Sequence, residues 1–181
     1  MKNIFFLLTL TCLLAGPIKA QVLEDTRVMS QGTNPALTII LPGASIKFAD
    51  AEWKEFMKPY GKVARVKQSK ESLTPDVQLL DIGGINKLNI YNLNEEAGDG
   101  VKSIVWIGLD SGYVNSTTNP TAYVASVKFL KEFSHKVQVD LITDDLDDQQ
   151  KQLTKFESNM TKLQREKENL NKVIEDSKKR I

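Results

Sequence analysis

Catalysis and metal binding need particular side chains close together, and this chain offers few. His135 is the only histidine and Cys12 the only cysteine in 181 residues. A catalytic histidine works with a nucleophile and with a carboxylate that orients it. His135 falls in a segment read as a helix packed on a sheet, and no Gly-x-Ser-x-Gly elbow is present, so its reading is structural. A lone histidine with a lone cysteine cannot supply the ligand set of a zinc site. Two acidic groups could attract a hard cation: Glu95, Glu96 and Asp99, and then Asp144, Asp145, Asp147 and Asp148. Neither has EF-hand spacing, so both read as solvated surface. Gly83-Gly84 and Gly98-Asp99-Gly100 lack the strand-to-helix setting of a phosphate loop. The expectation is a chain with no catalytic residue, no metal site and no cofactor. The aromatic side chains are read first as core. Of these, Trp53, Phe56, Trp106 and Phe129 are the candidate lining of a small-molecule groove between helix and sheet.

The elements that would position these groups follow from periodicity. Residues 21–35 are polar, with Gln31-Gly32 and Asn34-Pro35, and read as a flexible N-terminal lead. Ala36 to Leu41 is a short β-rich run closed by Pro42-Gly43. Ser45 can cap a helix on which Ala49, Trp53, Phe56, Met57 and Tyr60 recur at helical spacing. Lys62 to Gln68 reads as an edge strand and Ser69 to Pro75 as a loop. Val77 to Ile82 reads as a strand that Gly83-Gly84 turns into Ile85 to Leu93. Asn94 to Gly100 is an acidic turn, and Val101 to Leu109 is the most apolar strand, hence central. Asn115 to Pro120 leads into a last helix, with Pro120 in its first turn. The fold class is α+β over residues 36–142: a small, mostly antiparallel sheet with helices on one face. The last helix extends into a long C-terminal coiled coil over 143–181.

That tail carries the strongest pattern in the chain. With Leu146 at heptad position a, the a sites are Leu146, Leu153, Met160, Lys167, Ile174 and Ile181; the d sites are Gln149, Phe156, Leu163, Leu170 and Ser177. Apolar residues at this spacing over five heptads signal a coiled coil. The candidate seam is Leu146, Leu153, Phe156, Met160, Leu163, Leu170 and Ile174. A narrow apolar seam on a long helix needs a cover. The alternatives are a second copy, another coiled-coil protein, or the chain's own domain. Upstream, Tyr123, Val127, Leu130, Val137 and Leu141 form a helical stripe in a different phase. Acidic residues open the tail and Lys178, Lys179 and Arg180 close it, a distribution that favours antiparallel over parallel pairing.

Residues 1–20 read as a signal peptide: Lys2, then an apolar run from Ile4 to Leu14, then Gly16-Pro17 and Ala20. The expectation is an exported protein, periplasmic or secreted, with no integral membrane segment in the mature chain. The residues around Cys12 fit a lipid-anchor motif poorly, so anchoring through Cys12 is disfavoured. Of the 24 basic residues, Lys2 and Lys19 leave with the leader. The remaining 22 face 23 acidic ones, a net charge of −1 that argues against nucleic acid as a partner.

The stretch from Asp50 to Tyr60 (DAEWKEFMKPY), the Val105-Trp106 strand, and Tyr123 to Phe133 running into a Lys/Glu/Gln helix resemble a group of small exported bacterial proteins. These share a signal peptide, an α+β domain and a C-terminal coiled coil. The resemblance implies no catalytic residues. Together with the tail's heptads, the expectation is a non-enzymatic binding or structural module that self-associates through its tail. The alternatives are a holdase-like chaperone of the cell envelope and an enzyme with an unrecognised carboxylate site. The chain departs from the tentacle chaperones of the periplasm in having one helical arm and a near-neutral charge.

Overall fold

The computed structural model describes residues 21–180, so the leader read over 1–20, Cys12 included, lies outside the described residues. The chain divides into two compact units, the first ending at Gln138 and the second starting at Val139. The first unit holds β1 (Val22–Met29), β2 (Gly32–Pro42), α1 (Ile46–Met57), β3 (Ala64–Arg65), β4 (Ser72–Val77), α2 (Leu80–Gly83), β5 (Leu88–Ala97), β6 (Gly100–Leu109) and β7 (Gly112–Tyr113). Helix α3 (Pro120–Lys179) is one uninterrupted helix of 60 residues and serves both units. The strands form one antiparallel sheet in the order β1-β2-β6-β5-β4-β3, with β7 added to β6. The fold is α+β.

Strand β6 is central, as its apolar run requires: it pairs with β2 through Leu37↔Val105 and with β5 through Tyr91↔Trp106. Alternation then sorts side chains onto two faces. Leu37, Ile39, Leu41, Ile90, Val105 and Ile107 share one face, and this face receives α1. Asn94 on it donates to Asp50 Oδ1 of α1 at 2.8 Å. Helix α1 starts where Ser45 Oγ accepts the Phe48 N–H at 3.2 Å, and it buries Ala49, Trp53 and Met57. The start of α3 packs on it edge-to-face, with Trp53 and Phe133 ring centroids 5.0 Å apart. Lys136 pairs with Glu52, and the Gln138 amide donates to the Pro42 carbonyl at 3.1 Å.

The other face has its own core of Met29, Ala36, Tyr91, Ile104 and Trp106, flanked by Val66, Leu73, Leu93 and Tyr113. It is closed by the sheet itself. The β1–β2 turn reaches Glu71, which immediately precedes β4: the carboxylate accepts the Ser30 N–H at 2.9 and 3.1 Å and the Ser30 hydroxyl at 2.5 Å. In a flat sheet β1 and β4 would stand four strand spacings apart, about 19 Å. The contact therefore requires a rolled sheet, with the hairpin tip folded over the second face.

Six sequence expectations need correction. Residues 21–35 are not a loose lead: β1 pairs with β2 over its whole length, from Val22↔Ile39 to Met29↔Gly32. The stretch looked unstructured because an edge strand carries solvent-facing charge. Its Pro35 is tolerated because the β2–β6 register begins only at Leu37. The loop expected over 69–75 is largely β4, and the strand expected over 77–82 ends at Val77 and gives way to α2. Pro75 and Asp76 form an irregularity there: Thr74 faces Ile90 and Val77 faces Leu88, leaving one extra residue on β4, with Asp76 at φ 57°. Gly84 caps α2 at φ 61°, its N–H bonded to the Leu80 carbonyl at 3.0 Å, instead of turning a hairpin. The acidic turn shrinks to Gly98-Asp99, because β5 runs on to Ala97 and Glu95 is neutralised across the strands by Lys102 at 3.2 Å. The edge strand expected over 62–68 forms ladder bonds only as Ala64–Arg65.

Candidate functional site

The longest uncovered apolar pattern is that of the tail. Every residue from Ile142 to Arg180 is exposed. The helix persists there because residues 121–180 contain neither glycine nor proline, and Lys, Glu, Gln and Leu are good helix formers. Short-range pairs decorate its polar sides: Gln149 with Asp145 at 3.0 Å, Lys151 with Asp148 at 2.8 Å, and Gln164 with Glu168 at 3.1 Å. Such exposed pairs add little to the helix, because solvent screens them. The bond to Asp148, and then the charges of Asp148, Asp147 and Asp144, raise the Lys151 ammonium above its ordinary range.

All seven candidate seam residues lie on this helix and are open to solvent, from 49% for Leu153 to 71% for Met160. At 100° per residue they fall in one stripe that drifts by about 20° per heptad, the drift that winds two helices into a left-handed supercoil. The seam also starts earlier than its sequence assignment. Val139 and Ile142 are exposed, 45% and 60%, and they occupy the a and d sites of the heptad before Leu146. The signal was the same three-four spacing carried back one heptad. The upstream stripe masked it, because Leu130 and Val137 belong to the buried face of α3 along with Ala122, Phe129 and Phe133. Val137 is the last residue of α3 buried in the first unit, and Val139 opens the exposed stripe two residues later, a step that never stays on one helical face.

Three of the four candidate groove residues come together. Phe56 lies 4.9 Å from Phe129 and 6.1 Å from Trp53, ring centroid to centroid. Tyr60 and Phe129 also line an open depression beside α2, with Gln78, Leu79, Ile82 and Lys128. Trp106 is not part of this group. Its neighbours Val105 and Ile107 take the face that receives α1, so Trp106 points into the second core. In that core, partial burial, followed by the charges of Tyr91 and Glu71, raises the Tyr113 phenol above its ordinary pKa. His135 is an exposed residue of α3, and the four aspartates from 144 to 148 are exposed on the same helix.

Among the described residues no helix is long and apolar enough to cross a membrane. Comparison with protein-family models, with curated proteins and with solved structures finds no match.

Proposed function

We propose that this is an exported, non-enzymatic protein whose tail is an arm for self-association and whose first unit is a head that binds or anchors. The observation that carries the reading is the exposed apolar stripe from Val139 to Ile174 on a helix with no break in it. Transfer of a large apolar side chain from water into an interface is worth about 1.5–3 kcal/mol. A stripe of nine such residues is therefore far more than the scattered exposure normal for a surface. A second copy of the tail offers the matching stripe at the same spacing.

Light scattering over a range of concentrations tests this on the mature chain and on a chain ending at Ile142, which keeps the last buried side chain of α3, Val137. The full chain is expected to show a multiple of its own mass and the shortened chain a single mass, with unchanged near-ultraviolet circular dichroism. If both have a single mass, self-association is wrong and the head becomes the place to look.

A further inference from the structure

We infer that two tails pair antiparallel in one register, the one that sets Leu146 opposite the partner's Leu170. This rests on the self-association reading above and specifies its geometry.

The three polar residues of the seam, Gln149, Lys167 and Ser177, distinguish the possible alignments. In a parallel, in-register pair each a site meets its own copy, so Lys167 would meet the partner's Lys167 inside the seam, two like charges side by side. In an antiparallel pair each a site meets a d site, and neighbouring registers differ by one heptad. With Leu146 opposite the partner's Leu170, Leu153 meets the partner's Leu163 and Met160 meets the partner's Phe156. Ile174 then meets the partner's Ile142, the d site that the exposure of this helix adds to the seam. Lys167 meets the partner's Gln149, so the two interior polar residues face each other, and Ser177 falls at the end against the partner's Val139. One heptad in one direction, Gln149 meets Met160 and Lys167 meets Ile142. One heptad in the other, Lys167 meets Phe156, Gln149 meets Ile174 and Ser177 meets Leu146. Either shift buries polar groups against apolar ones with no partner for their hydrogen bonds, the costly arrangement. A polar layer that is satisfied in one alignment and orphaned in the others is how coiled coils fix register.

Area and charge agree. Nine apolar side chains giving up about 60–120 Å² each, the area that corresponds to the usual transfer energies, bury roughly 500–1,100 Å² per helix. Stable interfaces bury about 800 Å² per partner. In this register antiparallel pairing also sets the partner's Lys172 level with Asp144 instead of stacking the acidic start of the tail on its own copy.

The register has a centre of symmetry at Ser158. The flanking residues Glu157 and Asn159, at e and g, are therefore the ones that meet their own copies. That gives the test. In a Cys12→Ser background, which leaves no other thiol, single cysteines are placed at Asn159 and at Leu153 and oxidised with glutathione disulfide, alongside light scattering. Asn159→Cys is expected to form a covalent dimer roughly tenfold or more faster than Leu153→Cys, because only its two thiols share a local, mM effective concentration. Fast linking at Leu153→Cys with a silent Asn159→Cys means parallel pairing and overturns the inference. A two-chain mass with no link at either site means another register and overturns it too, leaving self-association intact. A single-chain mass removes the self-association reading itself.

Discussion

Glu71 is the residue on which the rolled sheet turns. It is 5% exposed, and its carboxylate accepts both the backbone N–H and the hydroxyl of Ser30, 41 positions away in sequence. Hydrogen bonds to a charged group contribute about 1.5–3 kcal/mol, and removing one partner leaves the others unsatisfied. Glu71→Ala should therefore destabilise the first unit by about 2–3 kcal/mol, seen as a lower urea midpoint followed by tryptophan fluorescence. Glu71→Gln keeps an acceptor of the same shape and should lose about half as much. Ser30→Ala, which removes only the hydroxyl, should cost about 1 kcal/mol. A Glu71→Ala chain with wild-type stability would mean that the second core closes without the latch.

At the scale of elements, what was legible depended on how plainly each segment declared its period. Strand β6 was legible from its unbroken apolar run over 104–107, and α3 because no glycine or proline follows Pro120 within it. Strand β1 was not: Glu24, Asp25, Thr26 and Arg27 occupy it, and only its pairing with β2 shows that they ride on an edge. Strand β4 was hidden by Pro75, a stop signal in sequence that the ladder absorbs as an irregularity. Trp53 and Phe56 shared one helical stripe in the sequence, whereas Phe129 joins them only through the packing of a second helix, and Trp106 needed the sheet's alternation to send it to the second core. The seam was legible from Leu146 onward, and its first two members needed exposure to be seen. The paired polar sites make a prediction at this scale. Lys167→Leu alone leaves Gln149 facing an apolar side chain, and Gln149→Leu alone does the same to Lys167. The double variant makes both layers apolar and should stabilise the dimer by more than the sum of the singles. The coupling expected is about 1–3 kcal/mol in a double-mutant cycle of dissociation constants. Additive effects would place the two residues in different layers.

For the molecule as a whole, two kinds of stability coexist. The first unit is held by contacts within one chain, with Trp53 on one face of the sheet and Trp106 on the other, both buried. The tail carries hydrogen bonds between residues three or four apart, and a helix with such contacts gains most of its stability from whatever covers its apolar face. Association then shifts the tail's stability by mass action. The helical signal at 222 nm should contain a component whose melting midpoint rises with chain concentration, by about 1.4 kcal/mol of stability for each tenfold. The tryptophan signal of the first unit should melt at a fixed midpoint. A helical component independent of concentration would show that no second copy is involved.

The contact between Ser30 and Glu71 has a last consequence, one of timing. Helical turns close on neighbours four positions away and form within about a microsecond. The rolled sheet must first bring β2 to β6 and then fold its hairpin across to β4, and loops of that span slow a fold toward the millisecond-to-second range. The tail can wind and unwind many times before the head is complete. Closure of the head therefore waits on the latch, while the tail helix can form without it.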